Sequence, residues 1–169
     1  KWLRLNKKPL VNFNAITNGC IKDSVQFTSN ITPLNNAPIN TIVWSLGNGS
    51  FINQQSNFNY LYNDTGTYTI KLFAKDNLGC TSDTATTTIA VNKKAVAKFG
   101  IIAPYCNNVS VAIKDSSFAY NSNTNLWKYY ISNGDSIVNA LTGNQFYNFT
   151  IAGNYTIKQI IKTSDGCLS

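Results

Sequence analysis

This sequence predicts an all-β protein made of two small sandwiches in tandem, on three observations. A glycine turn followed by an alternating strand, Asp64-Thr65-Gly66-Thr67-Tyr68-Thr69-Ile70-Lys71-Leu72, returns 87 positions later as Ile151-Ala152-Gly153-Asn154-Tyr155-Thr156-Ile157-Lys158-Gln159. The repeating unit therefore has the size of a small domain. Both copies run on into a turn ending in Gly-Cys, at Gly79-Cys80 and Gly166-Cys167. Between them, short runs of alternating apolar and polar residues are separated by Gly, Asn and Asp turns, with no run of helical period.

Residues 1–9 lie outside the repeat and read as the end of a preceding linker or module; residues 10–93 form the first domain and 94–169 the second. In the first domain, Val11-Asn12-Phe13-Asn14-Ala15 alternates with period two and predicts a strand, and Ser24-Val25-Gln26-Phe27-Thr28 predicts the next, with a turn at Asn18-Gly19. A loop over 30–40 carries Pro33 and Pro38. Thr41-Ile42-Val43-Trp44-Ser45-Leu46 follows as a strand, with Ile42, Trp44 and Leu46 on one face. Gly47-Asn48-Gly49-Ser50 turns the chain, an Asn/Gln-rich stretch leads to a short strand at 59–62, and the glycine-tyrosine strand occupies 67–75 with Tyr68, Ile70, Leu72 and Ala74 inward. Asp76-Asn77-Leu78-Gly79 is a hairpin turn, and Thr84–Val91, rich in threonine and β-branched residues, is the last strand.

After the short linker Asn92-Lys93-Lys94-Ala95 the pattern restarts. Ala97-Lys98-Phe99 matches Val11-Asn12-Phe13, Val109–Ile113 matches the second strand, and Trp127-Lys128-Tyr129-Tyr130-Ile131 matches the Trp44 strand. Two positions resist the scheme. Gln159 falls where Leu72 sits, on the inward face, and so requires a polar partner, a bulge or a wet rim. The second copy reaches Ser169 before any counterpart of the Thr84–Val91 strand, which predicts an unpaired edge, left by truncation or filled by a strand from a neighbouring segment.

Composition narrows the function classes. The net charge of +7 comes from scattered lysines, and the single arginine, Arg4, falls far short of the clustered Arg and Lys that phosphate recognition uses, so nucleic acid is excluded. No apolar run is long enough to insert directly into a membrane. There is no histidine, and all seven acids are aspartates, most of them in turns. The pool for acid/base or nucleophilic catalysis is thus poor, and the sequence calls for no enzyme activity, no metal and no cofactor. Asp23 and Asp83 are the best-placed pair for a calcium ligand set, and a pair is too few.

Cys20 and Cys80 in the first copy match Cys106 and Cys167 in the second. Wide spacing, no C-x-x-C and no histidine point to disulfides and an oxidising compartment. Of the three connectivities, the duplication favours Cys20 with Cys80 and Cys106 with Cys167.

Asp64-x-Gly66-x-Tyr68 at the entry to the penultimate strand fits a tyrosine corner. Together with Trp44-Ser45-Leu46-Gly47-Asn48-Gly49 and Tyr62, it resembles the PKD (polycystic kidney disease) domain family, whose signatures read W-x-F-G-D-G and Y-x-x-x-G-x-Y-x-V. The resemblance covers 10–93 and 94–169, with Asn48 in place of the usual aspartate. It implies two immunoglobulin-like sandwiches, the second without its last strand, in a secreted or cell-surface protein similar to those of Bacteroidetes-type bacteria. In that layout the first connection and the last hairpin lie at opposite ends, so a bridge within one repeat requires the segment around Cys20 to run back along the sandwich.

The resemblance also assigns roles. Trp44, Gly66, Tyr68, Trp127, Gly153 and Tyr155 are structural. Tyr130, alternating outward from Trp127 and Tyr129, is the contact candidate, and Ser24, Thr84 and Ser136 follow aspartate in a pattern similar to the Bacteroidetes O-glycosylation motif. The expected function is a non-catalytic extracellular spacer or adhesion module on a bacterial cell surface, partnered by neighbouring domains of the same long chain and by other surface proteins or polysaccharide. The rival is a carbohydrate-binding accessory module of a secreted hydrolase.

Overall fold

The computed structural model describes residues 2–3, 5–34, 36–103, 105–120, 122–140 and 142–169, with the backbone alone at 138–140. Lys1 and Arg4 of the leading segment lie outside the described residues. Every regular element among those described is a strand, and the chain divides into two compact units, Lys1–Val91 and Asn92–Ser169.

The first unit contains β1 (Leu10–Ile16), β2 (Ser24–Thr32), β3 (Ile39–Ser45), β4 (Phe51–Asn53), β5 (Asn57–Leu61), β6 (Gly66–Asp76) and β7 (Ala85–Val91). They form two antiparallel sheets, β1-β2-β5 and β4-β3-β6-β7. Alternation dictates which side chains meet between them. Val25 and Phe27 face inward from β2, and Trp44, Ile70 and Leu72 from β3 and β6, all at most 1% exposed. Trp44 is the hub: its ring makes edge contacts with Phe13, Phe27 and Phe58 at centroid separations of 5.0, 5.6 and 5.3 Å. Its Nε1 donates to the Gln55 carbonyl at 2.9 Å, so the one polar atom of the ring is satisfied.

β4 has no counterpart in the sequence reading. It is three residues long, between the Gly49-Ser50 turn and a left-handed Gln54 (φ 60°), too short to show a period, yet it pairs with β3 and brings Ile52 onto the core.

The second unit repeats the plan with β8 (Phe99–Ile102), β9 (Ser110–Asp115), β10 (Thr124–Ile131), β11 (Ser136–Ala140), β12 (Gln145–Asn148) and β13 (Ile157–Thr163), in sheets β12-β9-β8 and β11-β10-β13. β13 occupies the place of β6. Its far edge has no partner strand equivalent to β7 among the described residues.

Register corrects one expectation. Trp44 lies opposite Leu72, and the counterpart of Leu72, Gln159, lies opposite Tyr129. Tyr129, fully buried, therefore takes the position of Trp44. Trp127, expected in the core, is half-buried opposite Ile161, as Ile42 is opposite Ala74. Trp127 stands two residues before the position that the ladder aligns with Trp44. An even shift keeps each side chain on its face but moves it along by one inward position.

Candidate functional site

The tyrosine corner forms in both units. Tyr68 Oη donates to the Asp64 carbonyl at 2.8 Å and Tyr155 Oη to the Ile151 carbonyl at 2.7 Å, each pinning the loop before its strand. Gly66 and Gly153 leave room beside those rings, which lie 3.8 and 3.9 Å from where a Cβ would stand.

The turn after Trp44 is also built alike. Asn48 Oδ1 accepts from Ser50 N at 3.1 Å while its amide donates to Tyr60 Oη at 2.9 Å. Asn133 does the same toward Asp135 N and Tyr147 Oη, at 3.1 and 3.0 Å. Asparagine at the motif's aspartate position thus holds the turn with one atom and the neighbouring strand with the other.

The densest polar cluster surrounds Asp115 at the end of β9. Its Oδ1 accepts from Gln159 Nε2 at 2.7 Å, Ser117 Oγ at 2.6 Å and Ser117 N at 3.2 Å, and its Oδ2 accepts from Trp127 Nε1 at 2.9 Å. Gln159 also donates to Tyr129 Oη at 2.9 Å, and Tyr129 donates to the Gly143 carbonyl at 2.5 Å. This network is the polar partner that an inward-facing Gln159 requires. Burial pushes the Tyr129 phenol up to about 12, with the Asp115 charge adding to the rise and the Gln159 bond opposing it. A carboxylate receiving four donors has little acceptor capacity left for a substrate proton, and the phenol is held neutral. The cluster fixes a core; it is not poised for acid/base work. Sequence reasoning missed Asp115 and Ser117, whose only signal was the unexplained Gln159.

The cysteines correct a second expectation. Cys80 and Cys106 are free thiols, half-buried and exposed, while Cys20 and Cys167 are disulfide-bonded and buried. Cys20 lies in the β1–β2 connection, at the end where Ser24 pairs with Leu61 and Tyr62 bonds Leu46. Cys80 lies at the other end, where its carbonyl accepts from Asp76 N and Asp76 pairs with Ile39. The length of β3 separates them, roughly 20 Å at about 3.3 Å per residue, against the roughly 4–7 Å between Cα atoms that a disulfide spans. In the second unit Cys106 neighbours Phe149 and Tyr155, whereas Cys167 bonds Thr163 at the opposite end of β13. Neither expected bridge within a repeat can close.

The same separation parts Asp23 from Asp83, whose carboxylate pairs with Lys8 Nζ at 2.7 Å. Among the described residues no group of three or more potential ligands gathers to hold a metal.

Ser24, Thr84 and Ser136 are all exposed. Tyr130 is 41% exposed, beside Ser136 and Lys158 on neighbouring strands. Phe146, which the sequence reading did not single out, is 70% exposed on β12. Phe51, Tyr130 and Phe146 stand on three different sheets, so among the described residues no sheet presents a strip of exposed strand aromatics. No described helix is long and apolar enough to cross a membrane.

Comparison with known proteins matches these features. Collagenase ColA of Bacillus cereus is 31% identical over 70 residues, 41% of this chain and 7% of that protein. Collagenase ColQ1 of Bacillus cereus strain Q1 is 33% identical over 82 residues, 48% of this chain and 8% of that protein. The chain thus spans less than a tenth of the length of these relatives. Among solved structures, the PKD1 domain of Vibrio anguillarum Epp is 28% identical with a TM-score of 0.44, covering 52% of this chain and 96% of that domain. The fibronectin(III)-like modules of Clostridium thermocellum CbhA share the fold at 14% identity, with a TM-score of 0.55 over 95% of this chain and 89% of theirs. The PKD domain profile matches residues 6–91, a span that contains Trp44, the Asn48 turn and the Tyr68 corner, and the chain belongs to the PKD domain family.

Proposed function

We propose that the chain is a non-catalytic extracellular spacer within a longer secreted or surface-displayed bacterial protein, and that residues 94–169 are a second PKD-type module. The observation that carries this reading is the employment of the polar side chains. Asp115, Asn48, Tyr68 and Tyr155 are committed to turns, corners and the core, so the sandwich offers stiffness and little chemistry. Two compact units joined by a short linker would hold whatever lies beyond them at a distance from its anchor. Extracellular placement is supported by the oxidised cysteines and by relatives named as collagenases. Exposed Ser24, Thr84 and Ser136 are the positions where a surface glycan would attach, and Tyr130 is the contact residue offered to neighbouring surface proteins.

Electrophoresis of the purified chain through gels containing dissolved polysaccharides tests this against the carbohydrate-binding alternative. A spacer migrates unretarded in every gel. Retardation by one polysaccharide, abolished by Phe146→Ala or Tyr130→Ala, establishes the alternative in its place.

A further inference from the structure

The outer face of the β12-β9-β8 sheet departs from its counterpart in the first unit. Val25 and Phe27 of β2 correspond to the equally buried Val111 and Ile113 of β9, so Gln26 corresponds to Ala112 and Thr28 to Lys114. Gln26 lies between Ile16 and Asn59, a mostly polar row. Ala112 lies between Ile102 and Phe146, both exposed, and that row is wholly apolar. The short alanine between two larger side chains leaves a slot of about 180 Å³, walled by Ile102 and Phe146 and bounded by Lys114 and Asn144. Its walls stand on strands two apart, with roughly 10 Å between their backbones, which is room for one aliphatic side chain.

Charge decides what kind of partner fits. Lys114 stands two residues along β9 from Ala112, roughly 7 Å away. Lys98, whose carbonyl accepts from Ser116 N, lies one such step further on. Both lysines are exposed, and neither forms an ion pair among the described residues. The one carboxylate on β8, β9 and β12, that of Asp115, is taken by Ser117, Gln159 and Trp127. The face is therefore apolar at one point and cationic beside it. A second copy would set lysines against lysines in a chain of net charge +7, which opposes self-association. A sugar fits poorly, because Asn144 Oδ1 already accepts from Asp115 N and Gln145 Nε2 donates to the Thr142 carbonyl, leaving few partners for its hydroxyls.

We propose that this face docks an acidic, extended segment of another protein. One aliphatic side chain of the segment sits over Ala112 between Ile102 and Phe146, and carboxylates two and four residues along it meet Lys114 and Lys98. In an extended chain those three positions share a face at intervals of roughly 7 Å, the spacing of the slot and the two lysines. The slot sets the register, and the lysines supply attraction and discrimination. The face belongs to the sheet that does not contain β13, and the inference stands whether or not the chain is a spacer.

The test titrates the isotope-labelled full chain with the terminally blocked peptide Asp-Thr-Asp-Thr-Leu-Thr-Asp-Thr-Asp, which reads the same in both directions, and follows backbone amide shifts. Saturable shifts confined to the surroundings of Ile102, Ala112, Lys114 and Phe146 are expected. Lysine in place of every aspartate, or threonine in place of the leucine, should weaken binding about tenfold or more. Phe146→Ser, at a position exposed enough to leave the fold intact, should abolish the shifts. Lys114→Glu should turn the preference toward the lysine peptide. Equal binding of the three peptides, no binding, shifts elsewhere or shifts that survive Phe146→Ser would overturn the proposal. So would shifts at these amides from polygalacturonate and none from the acidic peptide.

Discussion

At Gly47 two constraints meet. Its φ is +78°, and a Cβ there would lie 2.7 Å from Thr69 N and 2.8 Å from Thr69 O, backbone atoms of a central strand that cannot yield. Gly79 has a φ of +88° and open space. Gly47→Ala should therefore destabilise by about 2–4 kcal/mol, left-handed strain plus steric conflict, and Gly79→Ala by only about 1 kcal/mol. Urea unfolding of the full chain separates the two, and equal losses would remove the steric part of the account. Gln159→Leu places its counterpart's side chain in the second core but strips a donor from Asp115 and from Tyr129. A loss of about 1–3 kcal/mol is expected in place of a gain. The raised phenol gives a pH signature. Above pH 10 an unfolded chain releases the Tyr129 proton while the folded chain keeps it, up to about pH 12. The folded state then binds more protons, and stability falls as pH rises, by up to about 1.4 kcal/mol per unit. Tyrosinate absorbance followed during alkaline unfolding should show this slope in the parent and a shallower one in Tyr129→Phe. These side-chain roles were only partly legible beforehand. Tyr68 and Tyr155 were readable because a corner is a local pattern, whereas Asp115 acts through Trp127 and Gln159, 12 and 44 positions away.

Strands were legible where burial on one face imposes period two, as in β2 and β6, and illegible where an element is too short to show a period, as in β4. The duplication located the two cysteines of each copy at matching places but misled on their pairing. Equal sequence separation says nothing about which end of a sandwich a connection occupies, and each copy places its two cysteines at opposite ends. A non-reducing peptide map of the protein from its natural source should contain neither Cys20–Cys80 nor Cys106–Cys167 linked peptides, with Cys20 and Cys167 both oxidised. Recovery of either within-repeat link would contradict the strand topology itself, since it cannot form without dismantling a sheet. The same duplication misplaced Trp127. Matching tryptophan to tryptophan is natural in the sequence, but the sheet aligns residues by their partners across the ladder, and that alignment puts Tyr129 in the core.

For the whole molecule, absent histidines, aspartates in turns and a diffuse lysine charge leave few groups for acid/base or phosphate chemistry. On the spacer reading, what is held apart, and from what surface, would be set by the protein that contains the chain, which neither periodicity nor packing encodes. A spacer is defined by being replaceable. The direct test is to exchange residues 10–169 within the parent protein for two unrelated β-sandwiches of the same combined length, with a deletion of 10–169 alongside, and to measure surface attachment of the parent. The account predicts that deletion lowers attachment and that the exchange restores it. Failure of the exchange to restore attachment, with the parent still secreted at its normal level, would show that this chain's own surface is the binding element and would contradict the spacer role.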